Sequence, residues 1–237
     1  MSPAAPQAVE QQERAASPDA PPIEVRDPAR GALIGTVPRQ SPQEVAVAVA
    51  RARAAQPAWA ALAVRERSRL LKSARKRFVA ARAEILDLLA RETGKTRFDA
   101  TGEVMAVCLD VRAVCRYAAR ALAPRTVSRG FPFGKRRLVL HKPHGVVGVV
   151  GPWNAPLTLS LGDALYALAA GNAVVVKPSE VTPLAVSRAV RALAEALPAD
   201  VLQVVTGDGT AGAALVDQVD MVAVTGSPQT GQRVMER

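Results

Sequence analysis

The 237-residue chain predicts an α/β fold in which a block of helices precedes a doubly wound parallel sheet. Three observations carry this. Helical periodicity runs from about residue 41 to 122 with no strong strand signal inside it. After residue 137, short Val-rich runs alternate with amphipathic stretches across short connections, the β-α-β order of parallel strands. Hydrophobic residues make up 49% of the chain but aromatic ones only 3%, so the core must be Ala, Val and Leu, which suits helices laid on a Val-rich sheet.

Residues 1–22, rich in Ala, Pro and Gln, read as a disordered tail. They carry Glu10, Glu13 and Asp19 and have no apolar stretch of the signal-peptide kind. Order is expected from Ile23, where Asp27-Pro28-Ala29-Arg30-Gly31 places a turn between two short apolar stretches. Ser41-Pro42-Gln43-Glu44 opens a helix: Ser41 caps, Pro42 suits the first helical position and Glu44 completes a capping box. This helix is expected to break or kink before Pro57. A second helix is expected from about Arg65 to Arg91, with Leu71, Ala74, Phe78, Ala81, Ile85 and Leu88 on one face and Gly94 as its stop. A third runs from about Phe98 to Leu122.

Arg137 to His141 alternates as a strand does, and Gly145 to Val150 is a continuous apolar run suited to a sheet buried on both faces. A helix follows from Pro156 to Ala170, then a buried strand from Ala173 to Lys177. Thr182-Pro183 is expected to cap a helix with Val186, Val190, Leu193 and Leu197 inward. A strand over Val201–Val205, a short helix over Thr210–Val216, a strand over Met221–Val224 and a helix from Pro228 complete the order. Ligands of such sheets sit at the carboxyl ends of the strands.

The net charge of +10 admits nucleic acid or other anionic partners. The basic residues, Arg65, Arg67, Arg69, Lys72, Arg75, Lys76 and Arg77 among them, are instead scattered over helix faces without aromatic interleaving. They read as a solvated face, and no nucleic-acid partner is expected. Cys108 and Cys115 lie two helical turns apart, about 10 Å of rise, too far for a disulfide. They read as small buried hydrophobes in a reducing compartment. No apolar run is long enough to span a bilayer, so a soluble cytoplasmic protein is expected. His141 and His144 lack the further ligand pair that zinc needs, so no metal is expected.

Three strand ends carry unusual polar residues. In Gly151-Pro152-Trp153-Asn154-Ala155-Pro156, two prolines stiffen a turn from which Trp153 and Asn154 project. The Asn154 carboxamide either donates to a developing oxyanion or bonds only its own backbone. In Lys177-Pro178-Ser179-Glu180, a Val-rich strand delivers a cation and an anion to its end. These suit ribose hydroxyls and phosphate, or form a surface ion pair before a helix. In the third region, Gly207 to Gly212 begins a helix with glycines that allow close backbone approach. Thr225-Gly226-Ser227 begins another, where free N–H groups favour an anion and Ser227 can bond a pyrophosphate oxygen.

Taken in order, these pieces resemble the aldehyde dehydrogenase superfamily: Gly145-Val146-Val147-Gly148 running into Pro152-Trp153-Asn154-Ala155-Pro156, Gly171-Asn172 before Lys177-Pro178-Ser179-Glu180-Val181-Thr182-Pro183, the turn from Gly207 to Gly212, and Val219-Asp220 before Thr225-Gly226-Ser227-Pro228-Gln229-Thr230-Gly231. The likeness runs from about Ile23 to the end, the first half of a family chain. It implies an aldehyde-dehydrogenase-like α/β fold, with N-terminal helices over about 41–122 and an incomplete Rossmann-like sheet over about 137–237. It also implies NAD(P)-dependent oxidation of an aldehyde to a carboxylic acid. Asn154 would serve the oxyanion hole. Trp153 and Ser227 would flank the pyrophosphate, Lys177 and Glu180 would hold the adenosine ribose, Gly209 and Gly212 would lie near the adenine, and Val150, Pro152, Ser179 and Gly226 would complete the cofactor site. The glycine turn is about a residue shorter than the family's common form. Leu157 and Leu161 would line part of the aldehyde pocket. The Glu180 carboxylate suits a free 2′-hydroxyl, which favours NAD, with NADP possible. The family's catalytic glutamate and cysteine would follow Arg237, and neither Cys108 nor Cys115 matches the latter. This stretch alone is therefore expected to hold cofactor without turnover, and a full-length parent is expected to be a homo-oligomer. The alternative is a non-catalytic dinucleotide-binding or interaction module.

Overall fold

A computed structural model describes residues 21–127 and 137–237. The tail expected over residues 1–22 lies, but for residues 21 and 22, outside them.

Strands β1 (Ile23–Arg26) and β2 (Leu33–Val37) pair antiparallel. Their turn is organised by Asp27, whose carboxylate accepts from Ala29 N at 2.8 Å and Arg30 N at 3.1 Å. Helix α1 (Pro42–Ala61) starts with the expected capping box but does not stop at Pro57. An interior proline costs about 3 kcal/mol. Here the flanking residues outweigh it: Trp59 is fully buried and donates to Leu168 O, and Gln56 donates to Gly171 O.

The single helix expected over 65–91 is two, α2 (Val64–Ala80) and α3 (Arg82–Thr93), divided at Ala81, whose ψ of 1° leaves the helical path. Leu71, Ala74, Phe78 and Ile85 face inward as expected. Beyond the break the buried line passes through Leu89 and Glu92 instead of Leu88, because the second helix is rotated relative to the first. Gly94, with φ of 72°, ends α3. Arg67 does not belong to a solvated basic face. It is buried, and its guanidinium donates to Ala60 O and Leu62 O at the end of α1 and to the distant Ala169 O. Helix α4 (Arg97–Ala121) is capped by Thr96.

A short pair, β3 (Arg125–Val127) and β4 (Arg137–Val139), is antiparallel and separate from the main sheet. The first strand was not expected, since three exposed residues carry no periodic signal.

The main sheet is β5 (Val146–Val150), β6 (Ala173–Lys177), β7 (Leu202–Val204) and β8 (Met221–Val224), all parallel in the order β7-β6-β5-β8. The order reverses between β5 and β8. Helices α5 (Pro156–Ala169) and α6 (Leu184–Ala194) cover one face, backed by α2, α3 and α4. Helix α7 (Gly209–Gln218) and α1 cover the other, and α8 (Pro228–Met235) follows β8. Val147, Val149, Val174 and Val176 pack on the first face, and Val146, Ala173 and Val175 on the second. Leu197 lies past the end of α6 and is only half-buried. Among the described residues, no helix is long and apolar enough to cross a membrane.

Candidate functional site at the carboxyl rim of the sheet

Parallel strands place the loops after β5, β6, β7 and β8 on one rim. Backbone and side-chain bonds tie them together. Gly151 N donates to Lys177 O at 3.0 Å, and Thr225 N donates to Val150 O at 3.1 Å. Thr182 Oγ1 donates to Trp153 O at 3.3 Å. Val150, Pro152, Trp153, Asn154, Lys177, Ser179, Glu180, Gly209, Gly212, Gly226 and Ser227 thus all lie at or next to this rim.

The first loop leaves β5 pressed against α5. A Cβ on Gly151 would sit 1.8 Å from Ser160 Oγ, so only glycine fits. Trp153 is 59% exposed, and Asn154 is exposed beside it. Asn154 Oδ1 accepts from Ala155 N at 2.9 Å. That bond, one of the two roles open from sequence, fixes the carboxamide oxygen and leaves the NH2 group as the outward donor.

The second loop carries Lys177, 3% exposed, whose Nζ donates to Pro178 O at 3.1 Å and lies 3.7 Å from Glu180. Burial pulls the ammonium's pKa down, against the pull of the Glu180 and Asp208 carboxylates. Gly212, on α7, lies against the Lys177 stem, where a Cβ would stand 3.5 Å from its methylenes. Ser179 Oγ accepts from Val181 N. Glu180 is exposed.

Each of four helices begins at this rim, and the way each is capped differs. Helix α7 is capped by Asp208, which also pairs with Arg39. Helix α8 is capped by Ser227, whose Oγ accepts from Thr230 N at 3.2 Å. Helices α5 and α6 have no local side-chain cap. Leu157 N and Thr158 N donate instead to Glu103 of α4, at 3.0 and 3.2 Å. Leu184 N and Ala185 N donate to Glu92 of α3, at 2.8 and 2.9 Å. The Thr182-Pro183 cap expected from sequence is therefore replaced by Glu92, because the Thr182 hydroxyl is turned to Trp153 O. Burial pushes the Glu92 carboxyl up to about 7, opposed by its two backbone donors and helped by nearby Glu103. Three of the four helix starts hold a carboxylate of the chain itself. That of α8 holds a neutral hydroxyl, so an external anion meets no like charge there.

Glu92, Glu103 and Lys95 were not singled out from sequence. Their partners lie up to 93 residues away, and no local pattern marks them. Leu157 and Leu161 are fully buried in the core, on the face that α5 presents to the helical layer. Cys108 and Cys115 belong to α4, away from the rim. Burial pushes both thiols up, and Cys115 Sγ donates to Ser68 O.

A family model described as the aldehyde dehydrogenase family matches residues 15–237. A putative succinate-semialdehyde dehydrogenase [NADP(+)] of Mycolicibacterium smegmatis is 40% identical over 209 residues, 87% of this chain and 40% of that protein. The chain thus spans about 40% of the length of this curated relative. Among solved structures, an aldehyde dehydrogenase from Brucella melitensis biovar abortus 2308 superposes with a TM-score of 0.87 at 32% identity, covering 93% of this chain and 46% of that one. A NAD-dependent benzaldehyde dehydrogenase from Corynebacterium glutamicum superposes with a TM-score of 0.83 at 32% identity, covering 91% and 48%.

Proposed function

The chain belongs to the aldehyde dehydrogenase family, and from that premise we propose that its sheet rim holds a nicotinamide dinucleotide while an aldehyde is oxidised to a carboxylic acid. The observation that carries the reading is the joining of the Trp153, Glu180 and Thr225–Ser227 loops at one rim, beside a helix start free of carboxylate. The residues fit the group: α8 offers the Gln229 N–H without a competing anion, since Pro228 has none and Thr230 N is taken by Ser227, Glu180 offers exposed acceptor oxygens, and Gly209 has open space beside it. When bound, the dinucleotide supplies the hydride acceptor.

The chain's own residues then divide the work. The Gln229 amide at the start of α8, with Gly226 and Ser227, receives the pyrophosphate, and Val150, Pro152 and Trp153 wall it. Glu180 accepts from the ribose hydroxyls, with Lys177 and Ser179 beside it. Gly209 leaves room for the adenine, and Gly212 lies close by against the Lys177 stem. Asn154 turns its NH2 donors to the oxygen on which charge develops as the aldehyde carbon is attacked. The attacking thiol belongs to none of the residues at this rim. A homo-oligomeric enzyme acting on a free aldehyde is the whole-protein form of this proposal.

Glu180 repels a 2′-phosphate and already draws the Lys177 ammonium to itself, so NAD is preferred over NADP. Fluorescence titration tests this. Trp59 is buried and Trp153 exposed, so a bound dinucleotide quenches chiefly Trp153. Saturable quenching is expected with NAD at lower concentration than with NADP, and Glu180→Ala is expected to narrow the gap. A chain with native circular dichroism that shows no saturable quenching by either dinucleotide would overturn the proposal.

A further inference from the structure

The loop that carries Asn154 leads into a helix that cannot hold its own start. Ala155, the N-cap of α5, has no capping side chain, and Pro156 has no N–H. The next two donors, Leu157 N and Thr158 N, both turn to one oxygen of Glu103, Oε2. Glu103 is 7% exposed and lies on α4, 54 residues earlier than Leu157. Its other oxygen receives the Lys95 ammonium, which fixes the carboxylate plane and aims Oε2 at the two amides. Water does not readily replace a cap buried this far from solvent.

We propose that Glu103, oriented by Lys95, is a positioning residue for Asn154, a role that rests on the oxyanion assignment made above. The linkage is short and stiff. Leu157 is three residues past Asn154, its side chain is fully buried, and Pro156 between them has a fixed φ. On the near side, Gly151 is pressed against Ser160 of the same helix. The Asn154 turn is thus suspended between two contacts with α5, and the first turn of α5 is held by α4. Releasing Leu157 N and Thr158 N frays that turn and frees the far end of the loop. The Asn154 NH2 group then loses its fixed direction, and donors aimed at a developing charge work only when already in place.

The test uses the full chain and two reporters, the side-chain NH2 signals of Asn154 by NMR and the fluorescence anisotropy of Trp153. Glu103→Ala removes both the cap and the Lys95 pair. Glu103→Gln keeps an oxygen for the amides and turns an NH2 group toward Lys95. Expected for Glu103→Ala are Asn154 signals moved to the position of a free carboxamide and a drop in Trp153 anisotropy, with partial recovery in Glu103→Gln. Ile85→Ala, a core truncation in α3 away from the rim, controls for general destabilisation and is expected to leave both reporters unchanged. Unchanged Asn154 and Trp153 signals in Glu103→Ala, with faster amide exchange at Leu157 and Thr158, would overturn the proposal. Should Glu103→Ala fail to fold, Lys95→Met decides: the reporters move as above or the proposal falls. Dinucleotide titration of the unmutated chain is read separately. Its failure would sink the cofactor reading, whereas unmoved reporters with intact binding would sink only the positioning role.

Discussion

The loops after β5 and β6 lead into helices whose first amides are taken by Glu103 and Glu92, carboxylates from the helical layer. The loops after β7 and β8 lead into helices capped by their own Asp208 and Ser227. The first pair of loops is therefore bolted to α3 and α4. The second pair is held by caps of its own. The difference teaches that one rim can be held in two ways, by carboxylates reaching in from distant helices on one side and by caps written into the local sequence on the other.

The comparison is broken most directly by removing one cap from each side. Glu92→Ala leaves one buried and one half-buried N–H group, those of Ala185 and Leu184, without partners and is expected to cost about 3 kcal/mol in urea unfolding at neutral pH. Ser227→Ala removes an exposed cap and is expected to cost about 1 kcal/mol. Equal losses would show that the two sides are held alike. The pH dependence sharpens the same point. The Glu92 carboxyl is pushed up to about 7 by burial, from an ordinary 4.5. Between those values the folded chain keeps a proton that the unfolded chain has released. Stability therefore falls as pH rises through the window of 4.5 to 7, by about 3 kcal/mol at most, and levels off above it. Glu92→Gln should flatten that slope, while Ser227→Ala should leave it unchanged. A smaller effect comes from glycine. Gly151→Ala drives a Cβ into Ser160 and is expected to cost about 2 kcal/mol, part of it recovered in the double variant with Ser160→Ala. Gly226→Ala meets Thr230 only at ordinary contact distance, 3.5 Å, and is expected to change stability by less than about 0.5 kcal/mol. Thermal unfolding of the four chains side by side measures both.

Features written within a few residues of one another were legible in the sequence. The capping box at Ser41, the stop at Gly94, the runs that became β5, β6 and β8, and the gathering of their polar ends all follow from short patterns. Features that depend on a distant partner were not. Pro57 reads as a break until Trp59 is seen anchored to α5 and Gln56 to the turn after it. Thr182-Pro183 reads as a cap until Glu92 takes the amides. Arg67 reads as one more surface cation until three carbonyls surround it. The candidate site divides the same way: the residues facing the rim announce themselves by type and position, while Glu92, Lys95 and Glu103 behind them look like ordinary charges on amphipathic helices.

Arg67 has one more consequence. It meets the carbonyl end of α5 with a positive group, just as Glu103 meets the amide end with a negative one. The macrodipole of that helix is matched at both poles, so α5 adds little field over the rim. Helix α8, opened by an uncharged serine, keeps its positive pole, and the potential over the four loops is tilted toward that one corner.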